Sequence, residues 1–348
     1  MNKNSISSAE TKGLGNAFLK KYVVIIAWVA LFVLYSVMMP DKFFTWTTIA
    51  SMLGSKAVLV LVSLAIMVPL IAGDYDMSVA ATLTLSSMIV TVLNVWFQVP
   101  IGAAVAIGIA VGAGVGAANG AIVSILGVDP FIVTMGMQTL LAGIILQISN
   151  QTISGVDQAL KDAVYLGKLG GVSYVFFYAL IACVALFYFF EFTSAGKKVL
   201  VVGRGRNVAK LSGIKVKSVR FWCFVASGTI AGIAGVLYTG MMGGADPSSG
   251  FAYLMPAFAA VFLGSTIIYP GRFNPWGCLI AVYFLVTGTT GLSLMGVQSS
   301  IQDVFYGAAL ILAVVFSVLV KRAEEKREML QAKLRLNQER MKAGEARK

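Results

Sequence analysis

Of the 348 residues, 58% are apolar and only 12% are charged, with no histidine and a formal net charge of +12. A membrane-spanning helix takes about 20 mostly apolar residues, so the chain has material for roughly ten and is neither a soluble enzyme nor a nucleic-acid-binding domain. Without histidine there is no Ser-His-Asp or Cys-His chemistry and no His-ligated zinc or haem.

Residues 1–21 form a polar arm with Lys3, Lys12, Lys20 and Lys21. Ten apolar runs follow, at about 22–39, 57–73, 78–95, 101–126, 130–148, 172–192, 219–240, 254–270, 275–297 and 301–320. They predict an all-α integral membrane domain over 22–320. Gly73, Asp74 and Asp76 mark one short turn, and Gly127, Asp129 and Pro130 another. A basic segment, 321–348, closes the chain; Leu330, Leu334, Asn337 and Met341 give it one helical stripe, expected to lie on acidic lipid headgroups.

With ten spans, all of the 27 basic residues except Lys42, Lys56, Lys161 and Lys168 fall on one side. The positive-inside rule makes that side the cytoplasm, with both termini there. The positive charge is therefore a topology signal, and no nucleic-acid partner is expected.

Within the fourth run, Gly108, Gly112, Gly116 and Gly120 recur every four residues and form a ridge without side chains. Such ridges let helix backbones approach closely, so helix packing is the expected role, with Gly228 and Gly232 a shorter counterpart in the seventh run. For Asp76, followed by Ser78, two readings stand level: a cap on the next helix, or part of a gate near a solute path. For Asp74 the cap is favoured, and no cationic partner is evident in the neighbouring runs. Cys183, Cys223 and Cys278 sit in apolar runs without CxxC spacing and read as buried hydrophobes; no metal site is expected. The nearest approach to a phosphate loop, Gly196-Lys197, has Glu191 where glycine is required, so no cofactor is expected in this chain.

The loop at about 193–218 carries eight basic residues, counting on to Arg220, and no acidic one. Asn207 to Gly213 reads as a short helix ended by Gly213, with Val208, Leu211 and Ile214 at near-helical spacing, a docking element for a soluble partner. On the other side, 149–171 and Gly240–Tyr253, around Asp246-Pro247, read as connecting loops or contacts for an extracytoplasmic partner.

Four strings in order carry a resemblance: Asp76-Met-Ser-Val79; Pro130-Phe-Ile-Val-Thr-Met-Gly-Met137; Leu211-Ser-Gly-Ile214; and Ala257-Phe-Ala-Ala-Val-Phe-Leu-Gly-Ser265. Across about 55–320 the chain resembles the membrane permease of binding-protein-dependent ABC importers, in the branch serving ribose and related sugars and, more distantly, branched-chain amino acids. The resemblance implies a type II importer-like permease with a five-plus-five inverted repeat. It implies a solute path between this chain and a second copy or a paralogous permease, in the bacterial inner membrane. A periplasmic solute-binding protein would deliver a sugar or sugar-like solute, and a cytoplasmic ATP-binding subunit would hydrolyse ATP. That subunit would dock on Arg204, Gly205, Arg206, Asn207, Leu211, Ser212, Gly213 and Ile214. Asp76, Ser78, Asn119, Phe131 and Thr134 are the candidate pathway or gate residues. The sequence departs from the family at Ala80, where glycine is usual, and at Arg206, where acidic residues are usual. Tyr253-Leu-Met-Pro-Ala257 replaces the Y-E-L-D-A of ribose-type members, which points away from ribose itself. The rival reading is an ion-coupled secondary transporter of a small polar solute, which would need an ion site that the few carboxylates do not supply.

Overall fold

The computed structural model describes residue 22, residues 24–315 and residues 318 and 319; the N-terminal arm and the basic C-terminal segment lie outside the described residues. The chain is a helical bundle: α1 (Val24–Met38), α2 (Trp46–Ser55), α3 (Ala57–Ile71), α4 (Val79–Val95), α5 (Ile101–Ala121), α6 (Pro130–Ile148), α7 (Gln158–Lys161), α8 (Tyr174–Phe192), α9 (Ser194–Arg204), α10 (Arg206–Leu211), α11 (Val216–Met242), α12 (Leu254–Gly264), α13 (Pro275–Leu294) and α14 (Ser299–Val315). Two ribbons of two-residue strands add a trace of β structure. One pairs β1 (Ile153–Ser154) with β4 (Gly244–Ala245), and the other pairs β2 (Lys168–Leu169) with β3 (Val172–Ser173).

Six helical stretches are long and apolar enough to cross a membrane: Trp46–Ile71, Ile101–Leu126, α6, α8, α11 and α13. Four shorter apolar helices accompany them: α1, α4, Ser249–Gly264 and α14. Two runs have different bounds from those read in the sequence. The run expected from 57 begins at Trp46, because Thr45 caps α2 through its hydroxyl and α2 leads into α3 across Lys56. The run expected to reach 270 ends at Gly264. Ser265–Gly271 is a hydrogen-bonded turn, and Asn274 both ties that turn, by donating to the Gly264 and Ile267 carbonyls, and caps α13. The amphipathic α9 was not expected. The short helix read from Asn207 spans Arg206–Leu211. Its end is a Schellman motif: Ile214 N–H donates to Ala209, Gly213 N–H donates to Lys210, and Gly213 takes φ +75°.

At the centre stands α3, with every residue buried. Around it pack α4, α8, α11, α12 and α13. Against α11 lies the glycine ridge of α5: along α5 the buried residues are Ala104, Gly108, Gly112, Gly116, Asn119 and Gly120, one stripe at helical spacing. A Cβ on Gly112 would stand 2.5 Å from the carbonyl oxygen of Gly228, and one on Gly228 would meet Gly112 in return. The two backbones touch because neither helix has side chains there, the packing mode expected of small residues in membranes. The three cysteines are buried and unpaired.

Two substitutions on one helix separate packing from glycine's intrinsic helix cost. Gly112→Leu is expected to lose roughly 1–3 kcal/mol or more through overpacking, seen as a collapse of folded yield and of the melting temperature in detergent. Gly114 faces open space, so Gly114→Ala should hold or raise the melting temperature by removing a cost of ~1 kcal/mol.

Candidate functional site

Between α3 and α4 the chain is not helical. Gly73 takes φ +81° at the end of α3, and Asp74 to Ser78 run without regular structure until α4 begins. Lipid cannot satisfy such backbone, so it must be enclosed by protein. Four helices close on this segment.

Asp74 is fully buried. Arg220, on the first turns of α11, donates through Nε to Asp74 Oδ2 at 2.6 Å and through Nη2 to Oδ1 at 2.8 Å, a bidentate pair. Arg206, the first residue of α10, donates through Nη2 to Asp74 Oδ1 at 2.7 Å and to the Gly73 carbonyl at 3.0 Å. The expectation that Asp74 caps a helix is thus overturned, as is the expectation that it lacks a cationic partner. A carboxylate out of water is stabilised far more by two guanidiniums than by a helix terminus. Its backbone N–H is itself spent, on the Pro69 carbonyl.

Asp76 makes a second cluster, with partners that carry no charge. Its Oδ1 accepts from the Ser78 N–H at 3.0 Å and the Ser78 hydroxyl at 2.7 Å, and its Oδ2 accepts from the Ser227 hydroxyl of α11 at 2.9 Å. Asn119 of α5 donates through Nδ2 to Ser78 Oγ at 2.8 Å, and all four side chains are buried. No cation pairs with Asp76 among the described residues. Next door, Thr134 of α6 accepts from the Met77 N–H at 3.0 Å and donates to the Pro130 carbonyl at 2.8 Å. Of the five candidate pathway or gate residues, Asp76, Ser78 and Asn119 therefore meet directly and Thr134 reaches the same segment. Phe131 is half exposed and outside the cluster.

The sequence reading missed Arg220 and Ser227 as partners. A signal was present: they lie seven apart, two helical turns along one face of α11, while Asp74 and Asp76 alternate onto one side of an extended chain.

The candidate docking residues flank and form α10. Arg204, Asn207, Val208, Leu211, Ser212 and Gly213 are exposed, Leu211 at 90%, whereas Ala209 is buried with Val202 and Val216. Gly205 N–H donates to Val201, and the Gly205 carbonyl accepts from Ala209, so this residue joins α9 to α10. A second link at the same end pairs Arg272, between α12 and α13, with Glu191 at the end of α8.

The Gly-Asp-Ser geometry occurs twice. Gly243 takes φ +71° at the end of α11, three residues before Asp246, as Gly73 does before Asp76. Asp246 Oδ1 accepts from the Ser248 N–H at 2.8 Å and the Ser248 hydroxyl at 2.7 Å, and Oδ2 accepts from the Thr152 hydroxyl at 2.7 Å. The donors match those of Asp76 atom for atom. The 27-residue α11, about 40 Å long at 1.5 Å per residue, meets the Asp76 motif at Ser227, near its middle, and leads into the Asp246 motif at its C-terminal end. These hydrogen bonds hold the Asp246 carboxyl below the usual carboxylate range, the Ser248 hydroxyl foremost.

The chain matches the family described as the branched-chain amino acid transport system permease component over residues 48–314 and belongs to it. It is 31% identical to the ribose import permease of Bacillus subtilis (strain 168), over 82% of this chain and 88% of that protein. It is 28% identical to the D-allose transport system permease of Escherichia coli (strain K12), over 88% and 94%. It is also 28% identical to the fructose import permease of Rhizobium meliloti, over 86% of each. These relatives are transport permeases, not enzymes, as expected from the sequence. No solved structure matches.

Removing the hydroxyl in Ser227→Ala leaves the buried Asp76 Oδ2 without its donor, and an unsatisfied buried acceptor costs about 1–3 kcal/mol. The melting temperature in detergent should fall accordingly. At the other end, a depressed carboxyl contributes stability above its unfolded pKa and loses it as pH falls through the folded value. Amide protection at Gly155 and Val156, which donate to the Gly243 carbonyl, should therefore weaken as pH drops below about 4, and Thr152→Ala should reduce that dependence.

Proposed function

We propose that this chain is the membrane permease of an ABC importer that takes up a sugar or sugar-like solute, powered by ATP hydrolysed in separate cytoplasmic subunits. The observation that carries the reading is α10, a short helix whose apolar residues Val208 and Leu211 face outward from a basic segment, tied by Arg206 to the enclosed segment between α3 and α4. A self-contained bundle would bury those residues; a docking helix presents them. The family membership and the sugar-importing relatives support the same assignment.

On this reading α9, α10 and their flanks, about 193–218, are the coupling loop. The end carrying Arg206, Arg220 and Arg272 is cytoplasmic, and so are both termini, in a bacterial inner membrane. The opposite end, with 149–171 and 243–253, receives a solute-binding protein from the periplasm. Ten spans follow from counting the six long and four shorter apolar helices together. A five-plus-five inverted repeat is supported by a shift of 170 residues, the interval from Gly73 to Gly243. That shift lays Trp46–Ile71 on α11, α4 on Ser249–Gly264, α5 on α13 and α6 on α14. An inverted repeat puts the two Asp-x-Ser motifs at opposite membrane faces. A second copy, or a paralogous permease, fits against α6. Its outward face mixes Thr139, Gly143 and Gln147 with Leu140 and Ile144, a more polar surface than lipid favours.

The test uses proteoliposomes holding the chain with its ATP-hydrolysing subunits and binding protein, offered labelled D-allose, D-ribose and D-fructose. Uptake of one of them is expected only with ATP. Accumulation driven by an ion gradient with the chain alone would make it a secondary transporter. Leu211→Glu should weaken capture of the ATP-hydrolysing subunits by at least about tenfold, as loss of an interface anchor does, without changing the amount of chain in the membrane.

A further inference from the structure

We propose that Asp74 is the positioning residue that makes α10, α11 and the segment 73–78 move as one body, so that motion delivered to the exposed helix enters the membrane through a single carboxylate. The inference rests on the importer reading above and adds to it a residue that is not part of the docking surface. Three geometric facts carry it.

The first is how the carboxylate is divided. Arg220 engages both oxygens and Arg206 one of them, so two helices that follow one another in sequence are pinned to a third element more than 130 positions away. Arg206 also holds the Gly73 carbonyl, which makes the contact two-point on that side. The second is the environment. Asp74 is buried and the Arg220 side chain is 11% exposed, while that of Arg206 is 42% exposed. Well-packed apolar residues would serve stability equally well in such a place. What an ion pair adds is a directional, bidentate geometry fixing how the three elements sit. The third is what lies two to four residues on. Asp76 grips Ser227, Ser78 holds Asn119 of α5, and the Met77 N–H holds Thr134 of α6. A displacement of Asp74 is therefore felt at the ends of α5 and α6 with no further intermediate.

Spin labels at the exposed Ser212 and the partly exposed Tyr75 report the link in the reconstituted complex, with and without a non-hydrolysable ATP analogue. In the unsubstituted chain the Ser212–Tyr75 distance distribution is expected to stay narrow and unmoved by nucleotide, while the distance from Ser212 to a label at Phe97, on a turn at the other end, shifts. In Asp74→Asn the Ser212–Tyr75 distribution should broaden and become nucleotide-dependent. The ATP-hydrolysing subunits should still co-purify, and hydrolysis stimulated by the binding protein should fall at least about tenfold, the change that 1.4 kcal/mol makes. Asp74→Glu, which keeps the carboxylate, should restore most of it. If Asp74→Asn does not accumulate, Arg206→Gln removes only the half-exposed arm and should broaden the same distribution. A Ser212–Tyr75 distance that already changes with nucleotide in the unsubstituted complex, or variants indistinguishable from it, overturns the proposal. Failure of the unsubstituted chain to capture ATP-hydrolysing subunits would instead overturn the importer reading itself.

Discussion

A stretch of extended backbone at the edge of a membrane has nowhere to place its polar groups unless protein surrounds it. The six residues from Gly73 to Ser78 set that constraint here, and much of the bundle is arranged to meet it. Pro69 takes the Asp74 N–H, Thr134 the Met77 N–H, and Asp76 the Ser78 N–H. The two carboxylates on the same segment then recruit partners of their own, guanidiniums for one and hydroxyls for the other. Satisfying so short a break therefore fixes where α5, α6, α10 and α11 can stand.

The two aspartates differ in what they can do because they differ in partners. Asp74 faces two cations and forms a rigid joint. Asp76 is held by three donors, two from Ser78 and one from Ser227, none of them charged. Hydroxyls can rotate to donate or accept at small cost, so this cluster can exchange partners where the ion pair cannot. On the proposed importer reading, a fixed joint beside an adaptable cluster suits a segment that both receives displacement and rearranges around a path. The same adaptable arrangement recurs at Asp246, in a more exposed setting.

Close helix approach gives the bundle its other constraint. The glycines of α5 and α11 remove side chains along a shared line, and carbonyl groups of one helix then rest on the backbone of the other. This contact brings Asn119, one helical turn from Gly116 and next to Gly120, within reach of Ser78. Packing that looks purely structural in α5 thus decides the position of a polar side chain in the cluster.

Much of this was legible in the residues. Helices, the apolar character of the domain, the basic end, the glycine ridge and the Gly213 helix stop all depend on local composition or on periods of three to four residues, which a linear reading preserves. The short helix Arg206–Leu211 was legible for the same reason. The ion pair was not, since Asp74 and Arg220 are 146 positions apart and a carboxylate before a helix looks the same whether it caps that helix or meets an arginine from elsewhere. Nor was the repeat of the Asp76 motif at Asp246, because the two stretches share three residues spread over six positions and only their hydrogen bonds show them to be one design. Sequence determined which segments leave water and which end of the bundle is basic, because transfer free energy and charge belong to the residues themselves. The tertiary structure decided who satisfies each buried polar group, because that depends on which distant residues the packed helices bring within 3 Å.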